Sequence, residues 1–204
     1  MIREVGYDEV FDAQKHFRSL LDSMARPGKI NRLDDVALEP PPGLNHASVL
    51  VAFALLDADS TFQVVKMSQG EAAYISANTN ARHCETEDAN FIFAQGTEPA
   101  EFLDFAFCGT LLYPDTAATT VLQIAEASTE RLLGGLKLTV QGPGIDGTCV
   151  LFTKGLSADV LLALQARNVE FPLGLDTILT FTDRSGAGAV VGLPRTTRVA
   201  WEAC

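Results

Sequence analysis

The sequence contains few of the side chains that bind metals or act as nucleophiles. Its 204 residues include three histidines and four cysteines, which are scattered along the chain and form no C-x-x-C pair. Structural zinc sites draw their ligands from closely spaced Cys and His residues, so this distribution does not favour a metal site. We expect free, mostly buried thiols at the four cysteine positions, which are Cys84, Cys108, Cys149 and Cys204.

Three catalytic motifs are also missing: the G-x-S-x-G nucleophile elbow, the Walker-type G-x-x-x-x-G-K-S/T loop and the H-E-x-x-H metalloprotease signature. Because convergent active sites escape such patterns, their absence excludes no reaction by itself. Together with the scattered histidines and cysteines, it argues against a hydrolase or a metalloenzyme. The sequence therefore indicates no catalytic residue.

Basic side chains are few: 15 lysines and arginines stand against 26 acidic residues, which gives a net charge of −11. A field of this sign repels nucleic acid and anionic membranes, so any anion site must be built locally from arginines and backbone N–H groups. The longest apolar run, Val49 to Leu56, is far shorter than the roughly 20 residues of a membrane-spanning helix. The N-terminal region carries Glu4, Asp8 and Glu9 and no apolar signal-peptide core. We expect a cytoplasmic protein that binds neither nucleic acid nor membrane.

What the chain does contain is material for a substantial core, because 47% of its residues are hydrophobic and 12 are phenylalanine. Apolar periodicity and capping residues predict helices that alternate with groups of two or three strands. This order favours an α/β fold, a mixed β-sheet flanked by helices, in a single domain over residues 1–204. The predicted helices cover residues 8–27, 45–56, 98–107 and 157–168, and the predicted strands cover residues 62–66, 73–76, 91–94, 119–124, 136–141, 149–152, 177–181, 189–191 and 197–201.

Three short motifs each admit a chemical and a structural interpretation. Asp57 and Asp59 could hold a divalent cation, but Asp is a common turn residue and we favour a solvated turn. Gly142 and Gly144 flank a proline after a predicted strand, where backbone N–H groups could form an anion-binding nest. A tight connection between strands is favoured, because the proline removes one donor. Asp115 could act as an acid or a base, and a turn role is favoured for it as well.

The most specific pattern joins two later segments of the chain. Asp176 immediately precedes a predicted strand. The segment LPRTT at 193–197 is predicted to bring Arg195 into another strand. Arg195 with the hydroxyl of Thr196 or Thr197 is a reasonable clamp for phosphate or phosphonate oxygens, because a guanidinium offers a planar, bidentate set of donors. A salt bridge between Asp176 and Arg195 that only ties two strands together is equally compatible with the sequence.

Six motifs occur in order along the chain: MARPGKI (24–30), EDANFIF (87–93), GTLLYPDTAATTVLQI (109–124), GPGI (142–145), FPLGLDTIL (171–179) and LPRTT (193–197). Together they closely resemble the PhnH family of phosphonate-metabolism proteins, which supplies the H subunit of the carbon–phosphorus lyase core complex. The resemblance spans essentially the whole chain. No single motif decides it, but six in register indicate membership of the family.

The resemblance implies a fold like that of the pyridoxal-phosphate-dependent transferases, without the cofactor. It implies a homodimer that also joins the G, I and J subunits of the complex. The complex supports displacement of adenine from ATP by an alkylphosphonate, which yields a ribose 1-phosphonate 5-triphosphate; a radical iron–sulfur subunit later breaks the carbon–phosphorus bond. The motifs carry no established catalytic residue that could be transferred to this chain.

The sequence surroundings of the lysines are those expected for a protein without pyridoxal phosphate. A pyridoxal enzyme needs a Schiff-base lysine in its cofactor pocket. Lys154 is the least implausible candidate, and nothing around it suggests a phosphate cup. We therefore expect an accessory subunit of a carbon–phosphorus lyase complex, not catalytic alone, with a possible phosphonate or nucleotide ligand. The alternative is a stand-alone phosphonate- or phosphate-ester-binding protein, or a small enzyme, with its site around Asp176 and Arg195.

Overall fold

The computed structural model describes residues 6–66 and 68–204, so the domain predicted over residues 1–204 and the acidic Glu4 extend outside the described residues. The described chain alternates helices with groups of strands. The helices are α1 (Phe11–Ala25), α2 (His46–Leu55), α3 (Gln69–Thr79), α4 (Phe102–Phe105) and α5 (Ala158–Arg167). The strands are β1 (Ile30–Arg32), β2 (Thr61–Val64), β3 (Arg82–His83), β4 (Phe91–Gln95), β5 (Thr119–Gln123), β6 (Glu126–Ser128), β7 (Leu136–Gln141), β8 (Cys149–Lys154), β9 (Asp176–Thr182), β10 (Gly188–Leu193) and β11 (Arg198–Ala203).

Seven strands form a mixed sheet, called the large sheet below, in the order β1-β10-β9-β5-β4-β2-β3. Strands β9, β5, β4, β2 and β3 run parallel, while β10 and β1 add antiparallel strands at one side. The other four strands form a small antiparallel sheet in the order β11-β7-β8-β6. The predicted α/β class, with a mixed sheet flanked by helices, is confirmed, and the separate small sheet is an addition to it.

The large sheet is the middle layer of the molecule, because both of its faces are covered. Successive side chains of a strand point to opposite faces of the sheet. On one face, Phe93 of β4 and Val190 of β10 belong to a buried cluster with residues of α1, α2 and α3. On the other face, their neighbours Ile92 and Val191 belong to a second cluster with α4, α5 and the small sheet. The core is therefore divided into two apolar layers by one sheet.

Helices α1, α2 and α5 begin near the capping residues that the sequence predicts for them. The Asp8 carboxylate accepts the backbone N–H of Phe11, the first residue of α1, at 2.8 Å. Asn45 and Ser157 accept the N–H of the third residue after each, at 2.7 and 3.2 Å, which satisfies donors that the first helical turn leaves unpaired. None of the described helices is both long and apolar enough to cross a membrane.

Two predicted elements were wrong. Residues 73–76, predicted as a strand, lie inside α3. At the start of this helix the Ser68 hydroxyl accepts the N–H of Gly70 at 3.2 Å, and at its end Asn80 has a left-handed φ of 62°. The helix predicted over residues 98–107 is reduced to α4, because separate four-residue turns, closed by Glu98 N–H to Gln95 O and by Leu103 N–H to Ala100 O at 2.9 Å each, lie on either side of Pro99. The very short strands β1, β3 and β6 carry too few residues for an alternating pattern and were not predicted.

Candidate functional site

Asp176 and Arg195 are in direct contact. Asp176 is the first residue of β9, and Arg195 lies in the turn between β10 and β11. The Asp176 carboxylate accepts the backbone N–H of Arg195 at 2.8 Å, its Nη2–H at 2.6 Å and its Nε–H at 3.2 Å. The remaining guanidinium nitrogen, Nη1, donates to the carbonyl oxygens of Pro114 at 2.7 Å and Pro172 at 3.3 Å.

These contacts engage all three nitrogens of the Arg195 guanidinium. The side chain is only 12% exposed, and that of Asp176 is 24% exposed. A bidentate carboxylate pair with two further carbonyl acceptors satisfies most of the five donors that the group carries. Arg195 therefore forms the salt bridge with Asp176 that was the alternative to a clamp for phosphate or phosphonate oxygens. Its contacts with Pro114 and Pro172 also connect two loops.

A cleft of about 540 Å³ opens beside this pair, between α5 with the segment that follows it and the chain from Leu193 to Val199. Its walls are mostly apolar. They include Leu161 and Leu164 of α5, both buried, as well as Val169 and Phe171, both exposed. The volume falls within the range of about 300–1,000 Å³ that is typical of small-molecule sites.

Most polar groups of the cleft come from the segment after β10 and from α5, and Asn168 after α5 and Thr177 of β9 also line it. Thr196, Thr197, Arg198 and Gln165 all line it, together with the edge of Arg195. The Thr197 hydroxyl oxygen is buried and has no hydrogen-bond partner within residues 6–66 and 68–204. Arg198 is exposed and forms no ion pair within the same ranges. Of Thr196, Thr197, Arg198 and Gln165, only the two threonines belong to a motif that is recognisable in the sequence.

Gly142 and Gly144 approach other parts of the chain closely. A Cβ on Gly142 would lie 2.9 Å from the carbonyl oxygen of Thr196, and one on Gly144 would lie 2.1 Å from the carbonyl oxygen of Ala25 at the end of α1. Both residues have positive φ angles, 146° and 83°. Residues 142–147 also fit the pattern G-x-G-x-x-G, but the turn leads into β8 and not into a helix, so it lacks the helix N-terminus of a dinucleotide site.

The other predicted acids lie outside the cleft. Asp115 is exposed in a short 3₁₀ turn, next to the Pro114 carbonyl that binds Arg195. Asp57 forms the turn that the sequence favoured, since its carboxylate accepts the N–H of Asp59 at 3.0 Å and the hydroxyl of Ser60 at 2.8 Å. Among the described residues, no group of three or more His, Cys, Asp or Glu side chains is placed to hold a metal ion.

Comparison with known proteins identifies the family. The chain matches the sequence model described as bacterial phosphonate metabolism protein (PhnH) over residues 6–200. The chain belongs to the PhnH family. A relative from Rhizobium meliloti (strain 1021), named alpha-D-ribose 1-methylphosphonate 5-triphosphate synthase subunit PhnH, is 40% identical over 197 residues, which cover 94% of this chain and 92% of the relative. A putative C-P lyase subunit protein, HtxG, from Stutzerimonas stutzeri is 29% identical over 186 residues, which cover 91% and 85%.

Three of the motifs that carry the PhnH resemblance meet at Arg195. The motif at 193–197 contains Arg195 itself, the motif at 171–179 contains Pro172 and Asp176, and the motif at 109–124 contains Pro114. All three of these partners accept hydrogen bonds from Arg195. The most specific sequence pattern of the chain therefore corresponds to one structural junction.

The junction supports an exposed apolar surface, which we call the apolar loop surface. Besides the Arg195 contacts, the N–H of Gly174 donates to Cys108 O at 3.1 Å and Arg167 Nη2 donates to Ala106 O at 2.7 Å, so the loops at 105–114 and 169–174 lie side by side. Large apolar side chains on both loops and at the end of α4 are 40–78% exposed. They are Phe105, Phe107, Leu111, Leu112, Tyr113, Val169 and Phe171. Exposed apolar side chains gathered in this way are typical of protein–protein contact sites.

Proposed function

We propose that this chain, as one PhnH-like domain over residues 1–204, is an accessory subunit of a cytoplasmic carbon–phosphorus lyase complex in organophosphonate catabolism. In that complex it supports the formation of ribose 1-alkylphosphonate 5-triphosphate from ATP and an alkylphosphonate. The observation that carries the proposal is the family match over residues 6–200, together with a relative whose name is that of a synthase subunit.

The apolar loop surface supports a role within an assembly. An exposed cluster that includes Leu111 at 78% and Leu112 at 77% is costly for a chain that stays alone in water. We propose that the chain forms a homodimer in isolation and joins the G, I and J subunits in the complex. The acidic net charge of −11 is compatible with protein partners and repels nucleic acid.

We further propose that the fold is related to the pyridoxal-phosphate-dependent transferases but works without the cofactor. The mixed large sheet flanked by helices is compatible with this relationship. A Schiff-base lysine has to lie in a pocket, and no lysine lines the cleft. The side chains of Lys66 and Lys137 are instead 61% and 37% exposed in ion pairs with Glu98 and Glu202.

Co-purification tests the main proposal. An affinity-tagged copy of the chain, expressed with its cognate G, I and J subunits, is expected to retain them through gel filtration. Deletion of its gene is expected to abolish growth of the host on methylphosphonate as the phosphorus source. Failure of co-purification together with unchanged growth would sink the proposal.

A second candidate function is a stand-alone phosphonate- or phosphate-ester-binding protein, and the cleft of about 540 Å³ beside Asp176 and Arg195 favours it. Calorimetric titration of the isolated chain, combined with the co-purification, separates the two functions. Ligand binding by a chain that captures none of the G, I and J subunits supports the second candidate, and capture of those subunits supports the first, with or without ligand binding.

A further inference from the structure

We infer that the cleft between α5 and residues 193–199 binds an organophosphonate by its organic group, with Arg198 receiving the phosphonate oxygens. The choice of a phosphonate head group rests on the proposed function. The location of the site, and the separate roles of the cleft and of Arg198 in binding the two parts of the ligand, rest on the geometry of the cleft. This assignment differs from the clamp predicted at Arg195, because the contacts of Arg195 are already used inside the protein.

The apolar walls determine what kind of ligand body fits. Leu161, Leu164 and Leu193 are each at most 6% exposed and form a floor without hydrogen-bonding groups. Pro194 and Val199 add to the same apolar lining. Such a surface gains free energy only when it covers apolar ligand atoms, so an alkyl or aryl group is better matched to it than a sugar or a free phosphate.

The charge of the cleft determines the head group. Of its two arginines, Arg195 is paired with Asp176, and Arg198 is exposed without an ion-pair partner among the described residues. One free guanidinium matches one phosphonate group, whose oxygens it can bind with two parallel N–H donors. A triphosphate carries several negative charges, which a single arginine in a protein of net charge −11 does not balance.

Two hydroxyl groups stand next to Arg198 in the chain. Thr196 lines the cleft, and Thr197 lines it with a buried hydroxyl that has no hydrogen-bond partner in the described part of the chain. A buried polar group without a partner is unfavourable, and a ligand oxygen is one way to satisfy it after a side-chain rotation. The phosphonate is therefore placed at the 196–198 end of the cleft, with its organic group over the leucine floor.

The size of the cleft leads to an order of affinities. In a cleft of about 540 Å³, the single methyl group of methylphosphonate leaves most of the apolar walls exposed to water. Phenylphosphonate covers more apolar surface than methylphosphonate, and inorganic phosphate covers none. We expect affinity to rise in the order phosphate, methylphosphonate, phenylphosphonate, with ATP binding no better than methylphosphonate.

Titration calorimetry of the full chain with these four compounds tests the inference. Arg198→Gln is expected to weaken phenylphosphonate binding about tenfold or more, since a charge-assisted hydrogen bond is lost. Arg131→Gln is the matched control, because Arg131 is also exposed, forms no ion pair within the described ranges and lies outside the cleft. Thr197→Val is expected to weaken binding several-fold while the melting temperature stays at or above that of the unchanged protein.

Phenylphosphonate that binds no tighter than phosphate, ATP that binds tightest, or an Arg198→Gln variant with unchanged affinity would each overturn the inference. Co-purification with the G, I and J subunits is measured on the same preparations. Capture of the subunits without phosphonate binding removes the ligand assignment and leaves the proposed function standing. Phosphonate binding without capture removes the proposed function and leaves the ligand site.

Discussion

The carboxylate of Asp176 accepts both the backbone N–H of Arg195, at 2.8 Å, and its guanidinium, at 2.6 Å. Since the same guanidinium also donates to the Pro114 and Pro172 carbonyls, one arginine connects the start of β9, the turn after β10 and two loops. Those loops carry the apolar loop surface, and the turn forms one wall of the cleft. The pair thus positions both surfaces to which we assign functions.

Arg195→Ala is expected to lower the free energy of unfolding by about 2–4 kcal/mol, because the partly buried Asp176 carboxylate keeps only the backbone N–H of residue 195 and two carbonyl oxygens lose their donor. Urea denaturation followed by circular dichroism measures the loss. Lys137→Ala removes one partner of the exposed pair with Glu202 and is expected to cost less than about 1 kcal/mol. Equal losses in the two variants would contradict a structural role for the Asp176–Arg195 pair.

Gly144→Ala and Gly147→Ala separate backbone strain from steric overlap. Both glycines have a positive φ, 83° and 72°, but only the Cβ of residue 144 would collide with another group, the Ala25 carbonyl at 2.1 Å. Gly147→Ala is expected to cost about 1–2 kcal/mol of unfolding free energy. Gly144→Ala is expected to cost about 3 kcal/mol or more, because overpacking adds to the strain. Similar denaturation midpoints for the two would show that the end of α1 moves aside freely.

The class of the fold follows from the sequence because its main elements carry strong local signals. Asn45 and Ser157 mark the starts of α2 and α5, and the apolar runs of β4, β5 and β9 are long enough to be recognised as strands. The division into two sheets does not follow, since it depends on pairings between distant segments such as β11 with β7. Helix α3 was mistaken for a strand because its short apolar run fits both periods.

The candidate site was predictable only where a motif marks it. Asp176 stood out at the start of a predicted strand, and Arg195 stood out because its segment was predicted to enter another strand, although Arg195 lies in the turn between β10 and β11. Whether the arginine faces a ligand or the protein depends on its contacts with Asp176, 19 residues away, and with Pro114, 81 residues away, and no local pattern contains either contact. The residues around Arg198 and Gln165 in the sequence form no recognisable motif, and only the fold brings these two residues to one cleft.

His16 is expected to make stability depend on pH. It is fully buried, its Nε2 lies 2.9 Å from the Asp34 carbonyl oxygen and its Nδ1 lies 3.2 Å from the Tyr7 hydroxyl. Burial lowers the pKa of His16 below its usual value of about 6.5, because the charged ring is poorly solvated there. A lowered pKa contributes stability that is present above pH 6.5 and is lost as the pH falls through the folded-state value.

Urea denaturation at pH 7.5 and pH 5.5 tests this dependence. His16→Gln is expected to lose about 1–2 kcal/mol at pH 7.5 and to show a smaller further loss at pH 5.5 than the unchanged protein. His83→Gln, at an exposed histidine, is the matched control. A His16→Gln variant that keeps the full pH dependence would assign the effect to other groups.

Leu112 and Leu133 are both 77% exposed, but only Leu112 belongs to the apolar loop surface. Neither residue contributes to the buried core, so Leu112→Glu and Leu133→Glu are each expected to change the unfolding free energy by no more than about 0.5 kcal/mol. If the apolar loop surface contacts a partner subunit, Leu112→Glu brings an unpaired carboxylate into that interface, which costs several kcal/mol. Co-purification with the G, I and J subunits is therefore expected to fail for Leu112→Glu and to succeed for Leu133→Glu. Equal capture by both variants would place the subunit interface on another face of the molecule, because a carboxylate at the centre of a dry contact cannot be accommodated without loss of affinity.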